Sequence, residues 1–406
     1  MTKNKGLSEF QLALRNFKKN RLACVCVILL GLLYVSAIFA DFLSPYSYKN
    51  EKREYSYCPP TPVHFFDENG LTWPYVNGIT LTFNEYHKRE YVIDKTQKYP
   101  VRFFVKGDKY HFPDFLDVFK LKPKEKKVNV DEKVVVEIMP LSSSQEEFNH
   151  SIDKLKKSFS IDIRLFGVEE GRIFLFGADS RGRDILSRLL YGGWISLSIG
   201  LIGVVISFSL GLIVGGLSGY YGGWVDNLLM RICEMFMMVP GFYLLLALRS
   251  AVPDDFNSVQ IYFTIIIILS FIGWAGLARI IRGMCLSLRE RDYVLAAKSF
   301  GLSDFSIIIK HVLPHTLSYS IFAVMLSIPG YILGESALSL IGLGIQDPFA
   351  SWGNMLADAM STVRIKFAPW ILWPAAFIFV TVICFNVIGD ALRDCLDPML
   401  KSERSS

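Results

Sequence analysis

Six apolar runs limit what this chain can fold into, because each approaches the roughly 20 residues that a membrane-spanning helix needs. They lie near Leu22 to Ala40, Ile195 to Leu217, Leu228 to Leu248, Val259 to Ala278, Leu317 to Ile341 and Trp370 to Ile388. The expected fold is an all-α polytopic membrane protein with six transmembrane helices, partnered by the lipid bilayer.

Charge gives the orientation. The chain of 406 residues carries a net charge of +5, yet residues 41 to 176 hold 21 basic and 21 acidic side chains, so the excess lies in the membrane part and its tails. That is the distribution membrane orientation requires, and it does not suggest nucleic acid as a partner. Residues 1–21 carry six basic groups against the single Glu9 and form an expected cytoplasmic tail. A cleaved signal peptide is the competing reading of residues 22–40, but an apolar core of about 19 residues exceeds the usual 7 to 15. Ile38 also stands where a cleavage site wants a small residue. A retained first helix is therefore expected.

Residues 41–176 form a polar insertion that the first span would deliver outside the cytoplasm. Pro45, Pro59, Pro60 and Pro62 among aromatics read as extended chain. Strand-like runs follow at Ile79 to Phe83, Tyr91 to Ile93, Val101 to Val105 and Val134 to Ile138, and Ile163 to Phe166 with Ile173 to Phe176 read as a hairpin across GVEEGR. A small β-containing domain is expected. Cys58 has no cysteine partner within it. His64, His87, His111 and His150 are scattered, with no GxSxG elbow beside them. No Cys or His spacing resembles a metal site, so no metal is expected.

Between the fourth and fifth runs lies RERDYVLAAKSFGLSDFSIIIKHVLP, Arg289 to Pro314, with Arg279 and Arg282 just before it. Counting crossings from a cytoplasmic N-terminus returns this stretch to the cytoplasm, in agreement with its basic residues. Tyr293, Val294, Ala297 and Phe300 fall at spacings of three and four, giving a short helix one mainly apolar face. Gly301 suits the left-handed turn that ends it, and Ser303 suits the N-cap of a second helix toward Val312.

Ala296-Ala297, Gly301 and Leu313-Pro314 at these spacings resemble the cytoplasmic coupling loop of bacterial ABC importer permeases; that motif usually opens with Glu, where this chain has Leu295. Three further stretches resemble the C-type permeases of oligopeptide and dipeptide ABC importers. They are FGADSRGRDILSRLLYGGWISLSIGL from Phe176, GESALSLIGLGIQDPFASWGNML from Gly334, and the ending Gly389-Asp390-Ala391-Leu392-Arg393-Asp394 with Leu396-Asp397-Pro398. The resemblance covers roughly Phe176 to Pro398 and the first span; the insertion lies outside it.

What the resemblance implies is a type I ABC importer permease with both termini cytoplasmic in the bacterial inner membrane. The divisions would be 1–21, a cytoplasmic tail; 22–40, the first helix; 41–176, the extracytoplasmic insertion; 177–398, the permease core with coupling loop 286–314; and 399–406, a cytoplasmic tail. It implies a second permease subunit, two ABC ATPase subunits that bind ATP and Mg, and an extracytoplasmic substrate-binding protein. Tyr293, Ala296, Ala297, Gly301, Leu313 and Pro314 would couple to the ATPases. The chain itself has no GxxxxGK[ST] phosphate loop, so no cofactor and no catalytic residue are expected in it.

Gly211, Gly215 and Gly219 at intervals of four read as a helix-packing face. Arg231 and Glu234 are one turn apart, and Pro240-Gly241 and Pro329-Gly330 read as bends. Arg181, Arg183 and Arg188 interleave with Asp179 and Asp184 on an expected interfacial helix, either anchoring it or serving the outer entrance. Glu335 is ionisable within an apolar run, where a charge costs on the order of 3 kcal/mol; it either lines the translocation path or is hydrogen-bonded at a helix contact. A permease for nickel or another small solute, an energy-independent transporter, and a membrane-anchored enzyme are the alternatives.

Overall fold

The computed structural model describes residues 15–396 apart from 68–69, 84, 86–88, 112–123, 131–132, 140–145, 147–148, 151–159, 254–255 and 257. Most of the N-terminal tail, the 399–406 tail, His87 and the Asp397-Pro398 ending lie outside the described residues.

The first span is α1, Arg21–Ile38, whose start is capped by Asn20 Oδ1 accepting from the Ala23 N–H at 3.1 Å. A short α2, Ala40–Leu43, turns the chain into the insertion. There β1 (His64–Asp67), β2 (Gly70–Phe83) and β3 (Arg89–Pro100) form an antiparallel sheet. β4 (Arg102–His111) pairs with β7 (Ser160–Gly167), and β5 (Lys124–Val130) with β6 (Lys133–Met139). The runs 79–83, 91–93 and 134–138 fall within these strands, and 101–105 does so from Arg102 onward.

The hairpin read at 163–176 is not formed. Ile163 to Phe166 pair with β4, and Ile173 to Phe176 leave the sheet. The reason lies in other partners for that backbone: the Ile173 N–H donates to the Tyr46 hydroxyl at 2.9 Å and the Phe174 N–H to Thr61 Oγ1 at 2.9 Å. With these groups satisfied, Ile173 and Phe174 are free to bury.

Of the segment expected to be an interfacial helix, Gly177 to Asp184 is a loop, whereas its apolar side, Ile185 to Leu190, is helical and opens α3, which runs unbroken from Ile185 to Tyr221. Asp184 sets that start: its Oδ2 accepts from the Ser187 N–H at 2.8 Å and the Ser187 hydroxyl at 2.7 Å. Ile185 and Leu189 are consequently buried.

After α3 come α4 (Gly223–Met238) and α5 (Gly241–Ser250), which meet at 86°. The run read as one bent span is thus two helices. Pro240 brings no N–H to the joint, and Val239 before it is extended, so the break is sharp. Then follow α6 (Ser258–Leu288), α7 (Asp292–Ser299), α8 (Asp304–Ile307), α9 (Leu313–Leu340), α10 (Trp352–Met355), α11 (Thr362–Phe367) and α12 (Trp373–Leu396). Pro329 lies inside α9, which continues to Leu340. Among the described residues, five helices are long and apolar enough to cross a membrane, and the bent pair would make a sixth.

The glycine face on α3 is a packing seam against α6. A Cβ at Gly211 would lie 2.9 Å from Leu277 Cβ, one at Gly215 2.9 Å from Ile281 Cβ, and one at Gly219 2.5 Å from Cys285 Cβ. Only glycine permits that approach of the two backbones.

The insertion is tied to the helices. Buried Arg164 on β7 donates to the backbone oxygens of Asp41 (3.1 Å) and Ser44 (3.0 Å) at the end of the first span. The Ala178 N–H donates to Cys58 O, and the Trp370 indole donates to Ala178 O at 3.1 Å. All seven cysteines are free thiols.

Candidate functional site

The 289–314 loop folds as a helix, a turn and a helix. α7 ends at Phe300, whose N–H bonds Ala296 O, and Gly301 follows at φ +78°, where a left-handed residue closes the helix through Leu302 N–H to Ala297 O. Ser303 caps α8 through its Oγ and the Ser306 N–H at 3.4 Å. Beyond α8 the chain makes one wide helical turn through Ile308 to Val312 and enters α9 at Leu313, with Pro314 in the first turn.

The expected single apolar face is split. Val294 and Ala297 turn inward and pack with Ile281, Cys285, Ile307 and Val312, with Leu313 against the same cluster. Tyr293, Ala296 and Phe300 turn outward, and the Tyr293 ring lies 5.2 Å from that of His315. The split follows from the connection: α7 folds back under the end of α6, so one stripe is used for internal packing. Left uncovered are Leu295, Phe300 (84% exposed), Phe305 (69%) and Ile309.

Two polar ties hold this end together, and the sequence reading assigned neither. The Tyr220 hydroxyl at the end of α3 donates to Asp304 Oδ1 at 2.8 Å. Arg282 on α6 grips Asp226 on α4 with both arms, Nε to Oδ1 at 2.6 Å and a terminal nitrogen to Oδ2 at 2.5 Å. The signal available was Arg282 among the basic residues before the loop and Asp226 in YYGGWVD; nothing in their spacing paired them. Arg231 and Glu234 do pair as expected, at 3.0 Å.

Comparison with known proteins now bears on this arrangement. Residues 207–402 match the family described as the binding-protein-dependent transport system inner membrane component, and residues 8–60 match the N-terminal TM domain of oligopeptide transport permease C. The chain is 42% identical over 226 residues to the dipeptide transport system permease protein DppC of Bacillus subtilis, covering 56% of this chain and 69% of the relative. It is 42% identical over 224 residues to the oligopeptide transport system permease protein OppC of Haemophilus influenzae, covering 55% and 70%. The chain belongs to this permease family. Among solved structures, a chain of the MetNI methionine ABC transporter in inward-facing conformations aligns at 18% identity over 50% of this chain and 94% of its own, with a TM-score of 0.37.

Residues 61–206, including most of the insertion, lie outside both family matches. At the end of the bundle nearer the insertion, Glu335 of α9 is fully enclosed. Its Oε1 accepts from Ser339 Oγ at 2.7 Å and its Oε2 from Ser196 Oγ at 3.3 Å. Ser196 accepts in turn from the Trp352 N–H, and Ser339 from the Ile345 N–H. These bonds join α3, α9 and the 341–351 loop.

The arginines before α3 form an ionic cluster with that loop. Arg183 bonds Asp179 (2.7 Å) and Asp347 (2.7 Å), Arg188 reaches Asp347 at 3.3 Å, and Arg181 reaches Asp347 at 3.1 Å and Glu51 at 3.0 Å. Burial works against the Asp347 carboxylate, but the Arg188, Arg183 and Arg181 guanidiniums outweigh it and hold it below the ordinary carboxylate range. Burial pushes Asp184 beside them up to about 6, against the hydrogen bonds from Ser187. A cavity of about 200 Å³ opens beside the cluster. The cluster ties the 177–184 loop and the first turn of α3 to Asp347.

Proposed function

We propose that this permease forms half of the translocation pathway of an ATP-driven importer for oligopeptides or dipeptides. Relatives named for dipeptide and oligopeptide transport support the cargo class. The observation that carries the coupling is the loop, bound to α3 and α6 on one side while it offers Leu295, Phe300 and Phe305 on the other. In this reading Val294 and Ala297 fix the loop, Gly301 sets its turn, Leu313 and Pro314 pass its movement into α9, and Tyr293 and Ala296 belong to the face that meets an ATPase.

The complete assembly adds a second permease subunit, two ABC ATPase subunits and an extracytoplasmic binding protein. ATP and Mg are bound, and ATP is hydrolysed, by the ATPases. Both termini and the loop face the cytoplasm of a bacterial inner membrane, and residues 41–176 face outside. Enclosed as it is, Glu335 acts on the path by holding three elements in register.

The test is uptake of a labelled peptide into proteoliposomes holding the four membrane and ATPase subunits, with the binding protein outside. ATP-dependent uptake that Phe300→Asp with Phe305→Asp abolishes supports the reading. Peptide-independent ATPase activity combined with nickel uptake would replace the cargo, and ATP-independent uptake by this chain alone would overturn the class.

A further inference from the structure

Phe103 and Phe104 are neighbours in β4, yet both rings face outward, 57% and 66% exposed. Adjacent residues of a regular strand point to opposite faces. Phe104 departs from that pattern through a φ of +56°, a left-handed conformation costly for a bulky side chain. The ladder with β7 passes from Phe103 opposite Phe166 to Val105 opposite Arg164. Local strain is thus maintained where two large apolar groups are left uncovered, and strain of this kind persists only where its surroundings fix it.

Those surroundings are the end of the first span. Val25, Ile28, Leu32, Val35 and Phe39 recur at intervals of three and four along and just past α1, and all are exposed in this chain. Phe42, three residues on, has its ring centroid 6.3 Å from that of Phe104. Arg164, which pairs opposite Val105, is the residue that binds the backbone of Asp41 and Ser44 on either side of Phe42. The uncovered stripe of a membrane-spanning helix therefore continues, through Phe42, into Phe103 and Phe104.

We propose that Phe103 and Phe104 insert into the lipid interface at the leaflet where the first span ends, so that the insertion is held against the bilayer by an aromatic anchor of its own. A bilayer is the occupant to which the observations commit, because the surface that the rings extend is the side of a membrane span, and large aromatic groups gain from the boundary between headgroups and acyl chains. Partial insertion of two rings adds apolar burial without another crossing. It also fixes the height of the insertion above the membrane.

The test uses the full chain with Cys24→Ser, the other cysteines being buried. Phe103→Cys and Phe104→Cys are each labelled with an environment-sensitive fluorophore and reconstituted in phosphatidylcholine and phosphatidylglycerol nanodiscs, with and without lipid carrying a doxyl quencher on the upper acyl chain. The expected result is blue-shifted emission at both positions and quenching at least about twofold stronger than at Lys95→Cys on β3. The Phe103 variant retains Phe104, so its result stands if the strained residue does not tolerate replacement. Quenching no stronger than at Lys95 overturns the proposal. A blue shift without lipid quenching, appearing only when the other transporter subunits are added, assigns the rings to a protein partner and overturns it equally.

Discussion

The Tyr220 hydroxyl donates to Asp304 Oδ1 across 2.8 Å, joining the last turn of α3 to the first turn of α8 although the residues are 84 positions apart. A hydrogen bond of this kind contributes about 1 kcal/mol net. Tyr220→Phe keeps the ring and removes the bond. We expect the protein to reach the membrane normally, while peptide uptake per ATP hydrolysed falls severalfold, measured by both rates in the same proteoliposomes. Unchanged stoichiometry would remove the tie from the coupling path.

Gly301 separates two substitutions. At φ +78° an alanine costs about 1 to 2 kcal/mol, so Gly301→Ala should slow uptake without abolishing it. Gly301→Pro cannot adopt that angle and loses the N–H that bonds Lys298 O. Uptake should then vanish with the protein still in the membrane fraction. Normal uptake in the proline variant would contradict the coupling role of the turn.

The glycine seam predicts a contrast in thermal stability. Gly215→Val forces side-chain atoms into α6 and should cost about 1 to 3 kcal/mol or more, read as a lower melting temperature in detergent. A Cβ at Gly31 on α1 meets nothing within 4 Å. Gly31→Ala should therefore leave the melting temperature unchanged or raise it slightly.

Asp347→Ala leaves buried Arg183 and Arg188 to share Asp179, at 2.7 and 3.6 Å, and should cost up to about 3 kcal/mol. The pH dependence has a definite sign. A carboxylate held below its ordinary range contributes stability that is complete above that range and is lost as the pH falls through the depressed value. Acid titration of the melting temperature should thus show a wild-type loss below about pH 4 that Asp347→Ala lacks.

Cys58 is fully buried, and burial pushes its thiol up to about 12. In native protein at pH 8 it should resist maleimide, since the reactive species is the thiolate, and it should label fully once denatured. The raised value favours the neutral thiol: its contribution to stability is complete below the ordinary value of 9.0 and declines as the pH rises toward 12. Rapid native labelling would show that the contact between residues 58–61 and residues 174–178 opens.

The spans were legible because apolar length is a local property, and the turn at Gly301 and the cap at Ser303 because they are set by single residues. Cross-chain partners were not. Arg183 and Asp347, or Tyr220 and Asp304, are brought together only by helix packing, and no spacing rule pairs residues so far apart. The single apolar face expected of α7 is split for a related reason: periodicity marks Val294 and Ala297 as apolar positions, but which side of a short helix is covered depends on how α6 ends above it. Residues 173–176 have strand composition, and they lost the hairpin to Tyr46 and Thr61, which no local pattern could announce.

The 37 residues of α3 give it a length of about 55 Å at 1.5 Å per residue, well beyond the roughly 30 Å of hydrocarbon it crosses. Its two ends are therefore the ends of one stiff rod, with the Asp304 tie at one and the Asp347 cluster at the other, and the glycine seam braces the third of it nearest the Asp304 tie. A rod so braced pivots rather than bends. Small displacements beneath the loop would swing its far end in proportion to the distance from the seam, and the ionic cluster around Asp347 would be the latch that such a swing must either carry along or unfasten.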